Sequence, residues 1–165
     1  IDLDFFGTTT GDVEELTDII HQCSNEVVRG HCTKRIKVYF LDGVKVDVVN
    51  YDYKWIDEPV IEDGLRLASP KDIAAMKVNA VMGRGTKKDF IDMYFLLQHY
   101  TFEDIIQFYL QKYPYGSEYR ALLSMTYFAD ADPQPMPFMF VPVDWNVIKN
   151  EIRYQVEQYN KNNTL

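Results

Sequence analysis

The chain of 165 residues carries a formal net charge of −8, which argues against broad nonspecific binding to nucleic acid, because that binding depends on phosphate neutralisation by Lys and Arg. A 47% hydrophobic content with 15% aromatics supplies ample apolar surface to offset chain entropy and excludes a disordered chain. Cys23 and Cys32 form no Cys-x-x-Cys pair, which argues against a disulfide framework or structural zinc, and no apolar run approaches the roughly 20 residues that a membrane span requires.

At this length one compact body with two lobes is expected, in a reducing cytoplasm. Ile1-Asp2-Leu3-Asp4-Phe5 alternates with period two, so in a strand Ile1, Leu3 and Phe5 face one way and Asp2 and Asp4 the other. Thr8 to Thr10 with Gly11-Asp12 reads as a helix entry, and Val13, Leu16, Ile19 and Ile20 keep helical spacing up to about Cys23. Residues 35–41 and 44–49 are β-rich runs joined by Asp42-Gly43, a pair suited to a type I′ hairpin turn. An acidic stretch over 52–63 then gives way to helices that announce their starts. Ser69-Pro70 caps one that carries Ile73, Met76, Lys77 and Ala80 and stops at Gly83 and Gly85. Thr86-x-x-Asp89 opens the next, with Phe90, Met93, Tyr94 and Leu97 inward, and Thr101-x-x-Asp104 opens another through Tyr109. A fourth helix is expected over 117–128. Four prolines in 129–143 predict an extended connection, and Asp144 caps a last helix with Ile148, Ile152, Val156 and Tyr159 inward before a fraying end at 160–164.

The carboxylates carry the clearest chemical signal. Asp2 and Asp4 share a strand face, and Asp47, flanked by the inward Val46 and Val48, projects from a neighbouring strand; three such oxygens suit a hard divalent cation such as Mg2+ or Mn2+. Two metal ions in such a cage activate a hydroxyl and stabilise a leaving pyrophosphate. The bland account is that aspartates fall at strand edges by chance in an acidic protein. Lys77 lies on an otherwise apolar helix side, which fits either a contact to a nucleoside triphosphate or a snorkelling side chain with its head in water. Arg84, Lys87 and Lys88 concentrate positive charge at a helix start, where backbone N–H groups also favour anions. Asp89 occupies the capping-box slot after Thr86, and a carboxylate there suits a general base as well; Asp92, one turn on, could take either role. His21, Cys23, His31 and Cys32 match no usual zinc spacing, and no Gly-x-Ser-x-Gly marks a nucleophile.

Taken as an ordered set, Ile1-Asp2-Leu3-Asp4-Phe5-Phe6, the strand with Asp47, the stretch from Ser69-Pro70 to Lys77, Lys88-Asp89-Phe90-Ile91-Asp92-Met93, and Tyr127 to Ala131 with Pro135-Met136-Pro137 resemble the AbiEii/AbiGii-type nucleotidyltransferase toxins. The resemblance spans nearly the whole chain. It implies the DNA polymerase β-like nucleotidyltransferase superfamily, with Asp2 and Asp4 as metal ligands, Lys77 as a nucleotide contact and Asp89 as the later catalytic acidic residue. It further implies a bacterial toxin of abortive-infection, toxin–antitoxin systems with a cognate antitoxin, and an acceptor hydroxyl on RNA, tRNA among them, or on protein. Family members carry a Gly-Ser or Gly-Gly pair ahead of the aspartates. The motif is already under way at Ile1, so further sequence upstream is expected.

The expected architecture is α+β: a small mixed sheet with its nucleotidyltransferase core in 1–62, and a helical lobe in 63–165 closing the active-site cleft. Two other readings compete with the enzyme. One is a catalytically inactive module that keeps the fold and works through protein contacts. The other is a phosphatase of the haloacid dehalogenase type, recommended by Asp2-x-Asp4 but opposed by Phe6 and by the lack of alternating helices and parallel strands.

Overall fold

A computed structural model of the protein describes residues 2–8 and 12–163. The strand role expected of Ile1, the helix lead-in at Thr9, Thr10 and Gly11, and Thr164 of the expected fraying end therefore lie outside the described residues, whereas 160–163 are helical. The chain divides into two compact units, Ile1–Tyr53 and Lys54–Leu165.

The first unit is a four-stranded mixed sheet with one helix: β1 (Asp2–Gly7), α1 (Val13–Ile20), β2 (Val27–Cys32), β3 (Ile36–Leu41) and β4 (Val44–Asn50). Its spatial order is β1-β4-β3-β2, with β1 parallel to β4 and the other pairs antiparallel. The turn between β3 and β4 holds Asp42 at φ 46° and Gly43 at φ 81°, the two positive angles that a type I′ turn requires. Asp12 caps α1 by accepting from the Glu14 amide at 2.9 Å. The helix ends at Ile20, short of Cys23, and a turn follows. Ile20, Tyr39 and Val46 make the small buried core, with Leu16, Val27, Leu41 and Val48 against them, and the hydroxyls of Thr17 and Tyr39 meet at 3.0 Å. One sheet face is thus the side that α1 covers.

Strand β2 was not anticipated from sequence, and its geometry explains why. Its pairing with β3 slips between Arg29 and Cys32, so no clean alternation survives. Gly30 sits in the irregular stretch, where an added Cβ would come within 3.2 Å of Val38.

The second unit is helical: a two-stranded hairpin of β5 (Val60–Glu62) and β6 (Leu65–Leu67), then α2 (Pro70–Gly83), α3 (Lys87–Leu96), α4 (Phe102–Lys112), α5 (Glu118–Met125) and α6 (Trp145–Asn163). The hairpin turns on Asp63 at φ 49° and Gly64 at φ 79°, the same Asp-Gly device as at 42–43. The helix starts follow the expected caps. The Ser69 hydroxyl accepts from the Asp72 amide at 3.1 Å, and Thr101 and Asp104 satisfy each other's amides at 3.1 Å. The Asp144 carboxylate accepts from the Asn146 amide at 2.8 Å. Ile148, Ile152, Val156 and Tyr159 of α6 are buried as their spacing predicts, in a core with Val78, Phe90, Met93, Ile105, Ile106 and Met125. α5 stops at Met125, before the expected Phe128, and 129–143 forms no helix or strand.

The boundary falls at Tyr53 and Lys54, ahead of the 62/63 division expected from composition. A buried ion pair draws the intervening residues into the helical unit. Asp72 and Lys112 are both fully buried and 2.6 Å apart. The Asp72 carboxylate also accepts from the amides of Ile56 at 2.9 Å and Asp57 at 3.3 Å, while the Lys112 ammonium donates to the Lys54 carbonyl at 3.0 Å and lies 4.4 Å from the Trp55 ring centre. The acidic stretch is therefore a strap on this unit.

Candidate active site

In the sheet unit, the register of β1 on β4 sets the carboxylates. Asp4 pairs with Asp47 and Asp2 with Lys45, and paired residues on neighbouring strands project to the same face. Asp2, Asp4, Lys45 and Asp47 therefore share the face opposite Tyr39 and Val46, on the side away from α1. The alternation read from sequence is realised: Val46 is buried while Asp47 projects the other way.

The face is electrostatically incomplete at Asp47. Its Oδ2 accepts from the Lys45 ammonium at 2.5 Å, whereas its Oδ1 is buried without a hydrogen-bond partner. A buried carboxylate oxygen lacking a donor is costly. The Lys45 pKa is raised, first by the hydrogen bond to Asp47 and then, against burial, by the charges of Asp47, Asp2 and Asp4. All three aspartates therefore act on one cation. Among the described residues no three His, Cys, Asp or Glu side chains are gathered closely enough to enclose a metal ion as they stand. The donor set still suits a hard cation, and the orphaned Oδ1 is an oxygen that such an ion would satisfy.

In the helical unit, a second cluster is built around Asp89. It is fully buried at the first turn of α3, and both oxygens are occupied. Oδ2 accepts from Arg84 Nε at 2.9 Å, the Thr86 hydroxyl at 2.6 Å and the Thr86 amide at 3.2 Å. Oδ1 accepts from an Arg84 terminal nitrogen at 2.8 Å and lies 3.5 Å from the Lys77 ammonium. Burial pushes the Asp89 pKa up, but the hydrogen bonds from Arg84 and Thr86 and the charges of Arg84 and Lys77 outweigh it and hold it at about 2. Such a carboxylate is a strong anchor and a poor base. Lys77, one-quarter exposed, reaches Asp92 at 2.6 Å, so its ammonium is held between two carboxylates. Of the two readings open for Lys77, this geometry is neither a bare snorkel nor a free phosphate hook.

The basic run separates into unlike residues. Lys88 is exposed. Arg84 is bound to Asp89 yet leaves 65% of its side chain exposed. It borders a shallow cleft of about 450 Å³ with Gly83, Gly85, Ser124 and Tyr127. Lys87 does not fit the expected phosphate contact. It is buried, donates to the backbone carbonyls of Asp132 and Gln134, and lies 5.0 Å from the Trp145 ring centre. Its charge ties the start of α3 to the proline-rich connection. Sequence reasoning missed Lys45, although period-two alternation places it on the face of Asp47.

Over 98% of its length the chain resembles two Helicobacter pylori crystal structures, JHP933 (TM-score 0.52, 15% identity, 75% of that chain) and a protein described as a candidate nucleotidyltransferase (TM-score 0.51, 16% identity, 78% of that chain). At such identities the likeness is one of fold alone. The chain belongs to the AbiEii family, nucleotidyltransferase toxins of type IV toxin–antitoxin systems, whose family model matches residues 1–160. It is also 28% identical over 134 residues to an uncharacterised protein of Aquifex aeolicus (strain VF5), a match that takes in 79% of this chain and 64% of the relative. The chain thus spans less than two thirds of that relative's length. No helix among the described residues is long and apolar enough to cross a membrane.

Proposed function

We propose that this chain carries the metal-holding and phosphate-contacting residues of a nucleotidyltransferase toxin that moves a nucleotide from a nucleoside triphosphate to a hydroxyl on RNA, tRNA among the candidates, or on protein. The observation that carries the reading is the in-register pair of Asp4 and Asp47, with a buried Asp47 Oδ1 that lacks a partner. Asp2, Asp4 and Asp47 would hold Mg2+ or Mn2+. When bound, the ion supplies Lewis-acid help, making the acceptor hydroxyl more acidic and neutralising charge on the departing pyrophosphate.

The roles of the protein's own groups divide between the units. On the sheet, the three carboxylates present hard oxygen ligands from a rigid register. On the helices, Lys77 is the phosphate-contacting cation, and Asp89 keeps its charged form at any physiological pH and so orients Lys77 and Arg84. The general-base role considered for Asp89 finds no support in a carboxylate of pKa about 2 with both oxygens occupied. Lys88 and the exposed part of Arg84 are further contacts for phosphate. A cognate antitoxin is the protein partner that membership of a toxin–antitoxin family implies, and the bacterial cytoplasm is the proposed place of action.

Titration calorimetry of the four ribonucleoside triphosphates with Mg2+, on the protein and on an Asp2→Ala/Asp4→Ala double variant, tests this reading. Label transfer from each triphosphate to cellular RNA and protein accompanies it. Metal-dependent binding by the protein, lost in the variant, is the expected result. A folded protein that binds no triphosphate and labels neither RNA nor protein would overturn it.

A further inference from the structure

Lys45 is a group that a metal-holding face does not need. It stands opposite Asp2 across the β1–β4 pair, and its neighbour on the same face of β4 is Asp47, which stands opposite Asp4. The ammonium therefore shares one sheet face with three carboxylates. It bonds only one oxygen of Asp47, at 2.5 Å, and the other is buried with no partner. A lysine present only to stabilise the sheet would leave its partner's second oxygen in water or bonded elsewhere. Here the half-satisfied carboxylate marks a position that one cation takes up only in part.

We propose that Lys45 is a tethered place-holder cation, which keeps Asp4 and Asp47 side by side until a divalent ion arrives and is displaced from Asp47 when that ion binds. This rests on the metal-holding reading above. Without any cation, paired carboxylates on adjacent strands repel. Three carboxylates and one ammonium leave two negative charges, which one divalent ion neutralises. An ion of this kind takes oxygens at about 2.0–2.6 Å and repels an ammonium held at hydrogen-bond distance from the same carboxylate, so the two cations compete for Asp47. Lys45 consequently lowers the affinity for metal and protects the face from collapse in its absence.

The test is Mn2+ binding, followed by electron paramagnetic resonance, on the protein, Lys45→Met and Lys45→Arg. Lys45→Met should bind about tenfold more tightly, because the competitor is gone, whereas Lys45→Arg should bind no more tightly than the protein itself. A second readout needs no variant: the rate of reductive methylation at Lys45, followed by mass spectrometry, should rise when Mg2+ is added, since displacement frees the ammonium. Equal or weaker Mn2+ binding by a folded Lys45→Met, or a Lys45 methylation rate that Mg2+ leaves unchanged while Mn2+ binds, overturns the place-holder role and spares the metal-holding reading. Absence of Mn2+ binding by the protein and both variants overturns the metal-holding reading and the place-holder role with it.

Discussion

Replacing Asp89 by Asn separates its anchoring role from any role in proton transfer. The carboxyl is fully buried, and its pKa falls from an ordinary 3.8 to about 2 on folding. A depression of that size corresponds to about 2 kcal/mol of stability at neutral pH. Because the folded pKa is the lower one, this stability is fully present above the unfolded value near 4 and disappears as the pH falls through about 2. Asn can still accept hydrogen bonds from Thr86 and Arg84, but it removes the charge that Arg84 and Lys77 face, so Asp89→Asn should lose about 2 kcal/mol at pH 7. Urea unfolding followed by tryptophan fluorescence measures this directly, since Trp55 and Trp145 both belong to the helical unit. The gap between the protein and the variant should close between about pH 5 and pH 2, and comparing the two cancels contributions from other carboxylates. A variant within about 0.5 kcal/mol of the protein at pH 7, or a gap that stays constant across that window, would refute the account.

Lys112→Met should cost about 3–5 kcal/mol, because it leaves the buried Asp72 charge without its cation and releases the Lys54 carbonyl; restoring part of that loss in an Asp72→Asn/Lys112→Met double variant would show that the cost is the stranded charge. Gly116→Ala should cost about 1–3 kcal/mol in the same unfolding assay, since the new Cβ would come within 2.8 Å of the buried Tyr109 ring, and a neutral effect would mean the ring has room to move. Tyr159 donates to Glu118 at 2.8 Å, and burial first, then that bond, pushes its phenol up to about 12. Ultraviolet titration should therefore show one tyrosine ionising late in the protein and missing from Tyr159→Phe, which should lose about 1 kcal/mol.

Local patterning was enough to place most of the elements and the sheet face that Asp47 takes. Caps at Ser69, Thr101 and Asp144 are short-range hydrogen bonds, so the residues that make them lie within a few positions of each other. The Asp42-Gly43 turn and the alternation about Asp47 are local in the same way. The Asp63-Gly64 hairpin carries the same signal, but its strands are three residues long, exposed and set in an acidic stretch, so no alternation marks them. The bulged β2 gave no period to read.

What tertiary structure decided is which charges are available. A lysine reads the same in a sequence whether its ammonium meets solvent, a carboxylate or a backbone carbonyl. The fold alone commits Lys87 to Gln134, Lys112 to Asp72 and Lys77 to Asp92. It alone aligns β1 with β4 so that Asp4 stands beside Asp47 and Lys45 beside Asp2. Periodicity tells which way a side chain faces, because a strand or helix sets that within a few residues. The register between distant strands, and a pairing such as Asp72 with Lys112, arise from packing that joins residues 40 or more positions apart, and no local pattern encodes them.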